Sequence, residues 1–511
     1  FTVFAVLRYG LYREEYCPEK KSHRRMNLAA LLLCLLISCG ILYEGDPSHR
    51  YLRPYPTPEE LCSSDMVVDA YMQQLDAFEK GQTALDLDVN PALEELDNPY
   101  DKGERDKKEV SYHWDRAYYQ GKYYSYFGLA PLFMVYYPVY WLTGMLPTEL
   151  LAGSILTVLS ILAIFAAVQG LYYTFRPRAN LLLFLLGEIS VICGSFLYLM
   201  QASVSFYYLP LISGTGWLAA FAAFSAFACR SKKTVHKTAL FALSGLSVVM
   251  LAISRPNLLL LAVAFALPLF LGVLLDRQSS VQEKLRCALP FLIPVMLGGA
   301  GVMYYNWIRF DSVFEFGTAF QLTESDIRYN ALTISLHHFL SMLYHYFGEP
   351  FVYTEFFPYL RFTTERCIDF GNYLYQEYSA GLFAMPLNLG ILLGGITLFS
   401  GRQAESRKKW TCGLLLAGIL GLGYLDFLLG GIHIRYVCDL SLAVSLLAFF
   451  LILEHIHFDG TRSSHVLYVI TAGLLLLTIG RGLLTIFSNE TNAILKANPD
   501  FYLRVARMFR L

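Results

Sequence analysis

PLFMVYYPVYWLTGML, residues 131–146, decides the fold. The segment is apolar and 16 residues long; it opens on Pro131, carries Pro138 and runs into Pro147. As a helix rising about 1.5 Å per residue it reaches roughly 24 Å, short of the roughly 30 Å hydrocarbon core of a bilayer. Whether it crosses sets the side of every later loop. If it crosses, Arg176/Arg178, Arg230/Lys232/Lys233/Lys237, Arg277/Lys284/Arg286 and Arg402/Arg407/Lys408/Lys409 all fall outside. If it dips in and returns, all of them fall on the cytoplasmic side, as the positive-inside rule prefers. The expectation is a proline-broken re-entrant helix, which is tolerated where protein or water covers the freed backbone.

Composition sets the class around that segment. Of 511 residues, 55% are hydrophobic and 16% charged, and mean hydropathy is +0.43. Many apolar runs reach the roughly 20 residues that span a bilayer. The predicted fold is an all-α polytopic membrane protein. The net charge of -1 sets aside a nucleic-acid partner. The 10 cysteines show no CxxC or zinc spacing, and Cys34, Cys39 and Cys193 sit in apolar runs as small buried hydrophobes.

Working outward, residues 1–25 are basic and read as a cytoplasmic segment, so the first helix, near 26–43, runs outward. Leu36-Ile37-Ser38-Cys39 resembles a lipoprotein cleavage box, but the long basic flank and the later spans favour a retained helix. A large outer loop follows at 44–130, then the re-entrant helix. Spans are expected near 150–175, 180–200, 205–229, 238–253, 257–275, 287–305, 379–399, 410–430, 437–454 and 466–487, about 11 with the first. The transmembrane unit covers 26–487, with a second outer loop at 304–378 and a tail at 488–511. No internal repeat stands out, which weighs against an inverted-repeat transporter.

The first outer loop gathers acids, bases and tyrosines in NPYDKGERDKKEVSYHWDRAYYQGKYYSYFGLAP, residues 98–131. A solvated loop with an interfacial aromatic belt explains some of this. An active site at the membrane surface, gripping a phosphate and a polar acceptor, explains more. Earlier in the loop Val67, Tyr71, Leu75 and Phe78 share one helical face, with Ser63 or Ser64 to cap it and Gly81 to end it. Asp86-Leu87-Asp88 has the form of a metal and nucleotide-sugar motif, but an outer location favours a surface turn.

Three arginines follow at outer span ends: Arg255 in Ser254-Arg255-Pro256-Asn257, Arg309 before Asp311, and Arg435 in Ile432-His433-Ile434-Arg435-Tyr436, ahead of Asp439. Each alone reads as a snorkelling side chain. Together, beside one acidic loop, they suit bidentate binding of a lipid-linked phosphate. His337, His338, His345, Glu349, Glu355 and Glu365 match no firm metal spacing. A divalent metal is therefore compatible with the sequence but not required, and no cofactor is assigned.

Asn98-Pro99-Tyr100-Asp101, Trp114-Asp115, Gly121-Lys122-Tyr123-Tyr124, Tyr126-Phe127-Gly128 to Pro131, Arg255-Pro256, Asn306 to Gln321 and Arg435-Tyr436 carry a resemblance. The layout resembles the GT-C class of polytopic glycosyltransferases, close to bacterial relatives of the dolichyl-phosphate-mannose protein mannosyltransferases. The resemblance covers most of the chain through short motifs. It implies a polyprenyl-phosphate sugar donor, an extracytoplasmic protein, lipid or glycan acceptor, and a loop aspartate as base. Members carry that acid just after the first helix, where Glu44 and Asp46 stand here; the motif-rich acids are Asp101 and Asp115. Asp46, Asp101 and Asp115 all remain candidate bases. Arg255 and Arg435, helped by Lys122 and Arg309, are the expected phosphate ligands. Tyr123, Tyr124, Tyr126 and Tyr436 are the expected substrate lining. A polysaccharide polymerase or ligase, or a lipid-linked glycan transporter with Glu188 and Asp426 in mid-membrane, are the competing functions.

Overall fold

The computed structural model describes residues 14–62, 69–175, 177–274, 280–324, 326–330, 333–363, 368–369, 374–375, 378–399, 406–457, 461–488 and 492–509. Its main helices are α1 (Lys21–Gly45), α2 (Ala70–Glu79), α3 (Tyr137–Thr143), α4 (Glu149–Phe175), α5 (Leu181–Gly194), α6 (Leu209–Arg230), α7 (Thr234–Ala252), α8 (Leu259–Leu274), α9 (Val281–Phe310), α10 (Ser406–Gly430), α11 (Ile434–His455), α12 (Arg462–Leu484) and α13 (Pro499–Met508). Among the described residues, sheet is limited to four two-stranded pairs. They include the hairpin β1 (Ala117–Tyr119) and β2 (Lys122–Tyr124).

Among the described residues, eight helices are long and apolar enough to cross a bilayer: α1, α4, α6, α7, α9, α10, α11 and α12. The chain is a multi-pass, all-α membrane protein. At three further expected spans the apolar helices are shorter: Leu181–Gly194, Pro256–Pro268 and Pro386–Phe399. Two of them have a local cause. α5 stops before Phe196, whose φ of 56° is left-handed. The helix of the second, α8, continues past Pro268 to Leu274. Pro386–Leu393 winds as a tight 3₁₀ turn before Gly394–Phe399.

Segment 131–146 follows its prolines. Leu132–Tyr136 forms a wide π turn that runs on into α3, and Pro138, the second residue of α3, lacks the N–H that an uninterrupted helix would use. Gly144, at φ 70°, ends the helix. Both ends of the segment are tied to one end of the bundle. Ala130 N–H donates to Ile253 O at 3.0 Å, just past α7. Leu146 and Pro147 pair with Arg53 and Leu52, just past α1. α2 lies over the segment: Tyr136 Oη donates to Asp69 Oδ2 at 2.8 Å and Tyr71 Oη to Gly128 O at 3.1 Å.

α2 departs from expectation at its start. Asp69 caps it, accepting from the Tyr71 and Met72 N–H groups. Ser63, Ser64 and Val67 lie outside the described residues. The expected Gly81 stop is present, at φ 71°. α9 also overruns its expected end at 305, reaching Phe310 before Asp311 turns left-handed at φ 52°. Asn306 and Arg309 therefore belong to the last turns of a helix rather than to the second loop. The two large loops pack together: Asp115 N–H donates to Leu322 O and Leu322 N–H to Arg116 O, each at 3.0 Å. The tail joins the same end, with Asn498 Nδ2 donating to Glu44 Oε2 at 2.7 Å.

Gly128 is where the first loop meets the bundle. A Cβ there would lie 2.1 Å from Ser254 O and 2.6 Å from Ile253 O, both backbone atoms that cannot swing aside. Gly128→Ala is expected to cost about 1–3 kcal/mol as overpacking and to lower the thermal unfolding midpoint in detergent. Gly299→Ala is the control, because nothing lies within 4 Å of its added Cβ. It should leave the midpoint unchanged or raise it, alanine being favoured over glycine in a helix by about 1 kcal/mol.

Candidate active site

The β1–β2 hairpin turns through Gln120 and Gly121, at φ 49° and 70°. Two left-handed residues make the tight turn that matches strand twist. Ahead of β1 stands Asp115, itself at φ 57°, a conformation that aspartate tolerates. Its amide is fixed by Leu322, so its carboxylate turns inward and is buried.

Two phenols hold that carboxylate. Tyr126 Oη donates to Asp115 Oδ1 at 2.6 Å, and the Tyr207 hydroxyl also hydrogen-bonds to Asp115. Burial first, and then the Asp115 charge, raise both phenols above their usual range. Both stay protonated donors at neutral pH. The guanidinium of Arg435 lies over the Tyr207 ring at 4.5 Å. Arg116, also buried, donates from Nε to Gln73 Oε1 at 2.8 Å and from Nη1 to the Asp115 carbonyl at 3.2 Å. Burial pulls the Arg116 guanidinium below its usual value, and Asp115 opposes that shift. One carboxylate, two phenol donors and two guanidinium groups thus meet where the first loop joins the bundle.

A second polar cluster adjoins the first. Arg255 is ion-paired through both Nε and Nη2 with the buried carboxylate of Asp439. Asn257 Nδ2 bridges Asp439 Oδ2 at 3.1 Å and Asp426 Oδ1 at 3.0 Å. The cluster joins the α7–α8 turn, the end of α10 and the start of α11. Tyr436 connects it to the first site, lying in the fields of both Arg435 and Arg255. Tyr436 packs so close to Gly430 that a Cβ there would sit 2.2 Å from the ring.

Of the residues expected from sequence, Asp115, Tyr126 and Arg435 come together, with Tyr436 and Arg255 adjoining. The others serve the scaffold. Asp46 closes the turn after α1, accepting from Ser48 N–H at 3.0 Å and Arg50 N–H at 3.1 Å. Asp101 is exposed and caps Lys102–Lys107 by accepting from Gly103 N–H at 2.8 Å. Lys122 is exposed beside the hairpin turn. Arg309 is buried as a tie, donating to Ser125 O at 2.7 Å and Asn306 Oδ1 at 2.9 Å, with its guanidinium 3.7 Å from the Tyr305 ring centroid. Tyr123 belongs to a small apolar core with Leu85, Leu93 and Tyr118, and Tyr124 packs on Phe310. Arg255 adjoins the site through its ion pair with Asp439.

Sequence reasoning missed Tyr207 and Arg116 as members of the site. The aromatic run Phe206-Tyr207-Tyr208, opening an apolar span, was the available signal. Asp86 is paired with Lys80 at 2.6 Å, as a surface turn would be. Among the described residues no group of three or more His, Cys, Asp or Glu side chains is placed to hold a metal. His345 instead meets Glu349 at 3.1 Å. Glu365 lies outside the described residues.

The Tyr126–Asp115 bond should appear as coupling. Hydrogen bonds to charged groups contribute about 1.5–3 kcal/mol. In a cycle of Tyr126→Phe, Asp115→Asn and the double variant, the double variant should therefore lose less stability than the two singles summed. Additive losses in unfolding measurements would show that the contact is not formed.

Searches against protein-family models, curated proteins and solved structures find no match to this chain.

Proposed function

We propose that the chain is a membrane glycosyltransferase. It moves a sugar from a polyprenyl-phosphate donor to a hydroxyl of an extracytoplasmic protein, lipid or glycan acceptor. The observation that carries the reading is the buried Asp115 carboxylate, held by two phenols at the bundle end with Arg435 across the Tyr207 ring. The site faces outward in this reading. Both ends of segment 131–146 are tied to the end that carries the two large loops, which supports a re-entrant helix and about 11 spans.

The chemistry is inverting transfer. Asp115 takes the proton of the acceptor hydroxyl as its oxygen attacks the anomeric carbon. The bond from that carbon to the phosphate oxygen breaks, and the polyprenyl phosphate leaves with the charge. Arg435 stabilises that charge, with Arg116 as the nearer fixed cation behind Asp115. Tyr126 and Tyr207 keep the carboxylate aimed rather than reacting themselves. The transporter reading draws less support: the in-span acids Glu188 and Asp426 are hydrogen-bonded to Asn27 and Gln169, and to Asn257.

Purified protein in liposomes should consume a polyprenyl-phosphate sugar in the presence of acceptor, without nucleotide sugar. Asp115→Asn should lower turnover by about 10²–10⁴-fold, the range of a general base. Arg435→Lys should also lose activity, because an ammonium does not replace a planar fork. Turnover only with a nucleotide sugar, or near-normal turnover of Asp115→Asn, would sink the proposal.

The topology has its own test. Single cysteines at Gly121 and Thr148 should both react with an impermeant reagent added outside. Reaction from opposite sides would reverse every later loop.

A further inference from the structure

A crevice opens at the end of the bundle away from Asp115, among α4, α6, α8, α10 and α11. Leu171, Leu218, Phe265, Leu415, Leu447 and Phe450 are among its walls, and its cavity volume is about 120 Å³. Along α11 its lining runs from Ala443 to Glu454. At about 1.5 Å per residue this is roughly 16 Å, about half of the roughly 30 Å hydrocarbon core. The crevice has the depth of a single leaflet.

Its polar groups gather at the mouth. Lys408 Nζ donates to Glu454 Oε1 at 2.6 Å, and Thr397 Oγ1 meets His455 Nε2 at 2.8 Å. Lys409 follows Lys408, and Arg178 follows the lining residue Pro177. An apolar recess of this kind does not hold water. A Lys ammonium has three donors, so Lys408 can serve both Glu454 and a phosphate oxygen.

We propose that this crevice binds one acyl chain of an anionic phospholipid from the leaflet at the basic end of the bundle, with the lipid phosphate against Lys408. The site is separate from the Asp115 centre and rests on the chain's spanning a membrane, not on its being a transferase. Its occupant braces α10 against α8 and α11. The far end of α10 carries Asp426, which accepts from Asn257.

The test is native mass spectrometry of detergent-purified protein titrated with phosphatidylglycerol or phosphatidylcholine. The wild type should retain one phosphatidylglycerol under activation that strips phosphatidylcholine. Ala443→Phe and Leu415→Trp fill the recess and should lose that adduct, with unfolding midpoints at or above lipid-free wild type. Lys408→Ala, at the partly exposed mouth, should keep an adduct but lose the preference for phosphatidylglycerol. Retention by both filled variants would overturn the proposal, and so would equal retention of the two lipids by the wild type. Displacement of the lipid by inorganic phosphate alone would also overturn it, since it would reduce the site to its polar rim. The wild-type selectivity and the Lys408→Ala result hold even if a filled variant fails to fold.

Discussion

The approach of the Gly128 backbone to the carbonyls of Ile253 and Ser254 joins the two halves of the candidate site. On one side lie the hairpin, Tyr126 and Asp115. On the other lie the α7–α8 turn, Arg255 and, through Asp439 and Tyr436, the start of α11. No side chain fits between them, because the added carbon would meet backbone oxygen at 2.1 Å. Such close approach is a use to which only glycine can be put. The buried acid and the arginines meet because the loop seats on the bundle at this point.

Charge balance then separates structural from reactive groups. Arg255 and Asp439 neutralise one another in a buried pair, with Asn257 and Asp426 completing the network. Removing one partner of such a pair strands a buried charge and costs about 3–5 kcal/mol. These residues hold α8, α10 and α11 in register. Asp115 is different: its carboxylate is held by the phenols of Tyr126 and Tyr207. Arg116 donates to the backbone carbonyl of Asp115.

Much of the fold was legible because a bilayer accepts few solutions. Backbone polar groups must pair within their own segment, so long apolar runs become helices. Eight of the expected spans are helices of that kind. The prolines at 131, 138 and 147 bound and interrupt a short apolar segment, both ends of which are tied to one end of the bundle. The start of α2 was misread because a serine pair was preferred to Asp69 as cap, and caps are chosen by burial and geometry that spacing does not encode. The length of α9 was underestimated because Asn306 and Arg309 look like loop residues. They are tolerated in a last turn because Ser125, Asn306 and Tyr305 satisfy the guanidinium.

For the site, the sequence by itself determined which residue types are present at the loop and span ends: an acid-rich first loop, tyrosines beside it and arginines at later span ends. Only the tertiary structure decided which of them meet. Asp46, Asp101 and Asp115 are equivalent as letters, yet two serve as turn and helix caps and one is buried between phenols. Arg255, Arg309 and Arg435 are alike at span ends, yet one is neutralised, one tied into backbone, and one stacked over the ring that holds Asp115. The physical reason is distance along the chain. Asp115 meets Tyr207 and Arg435 across 92 and 320 residues of sequence. Spacing and periodicity describe only neighbours within a helix turn or a strand, so contacts of that span exist only once the helices have packed.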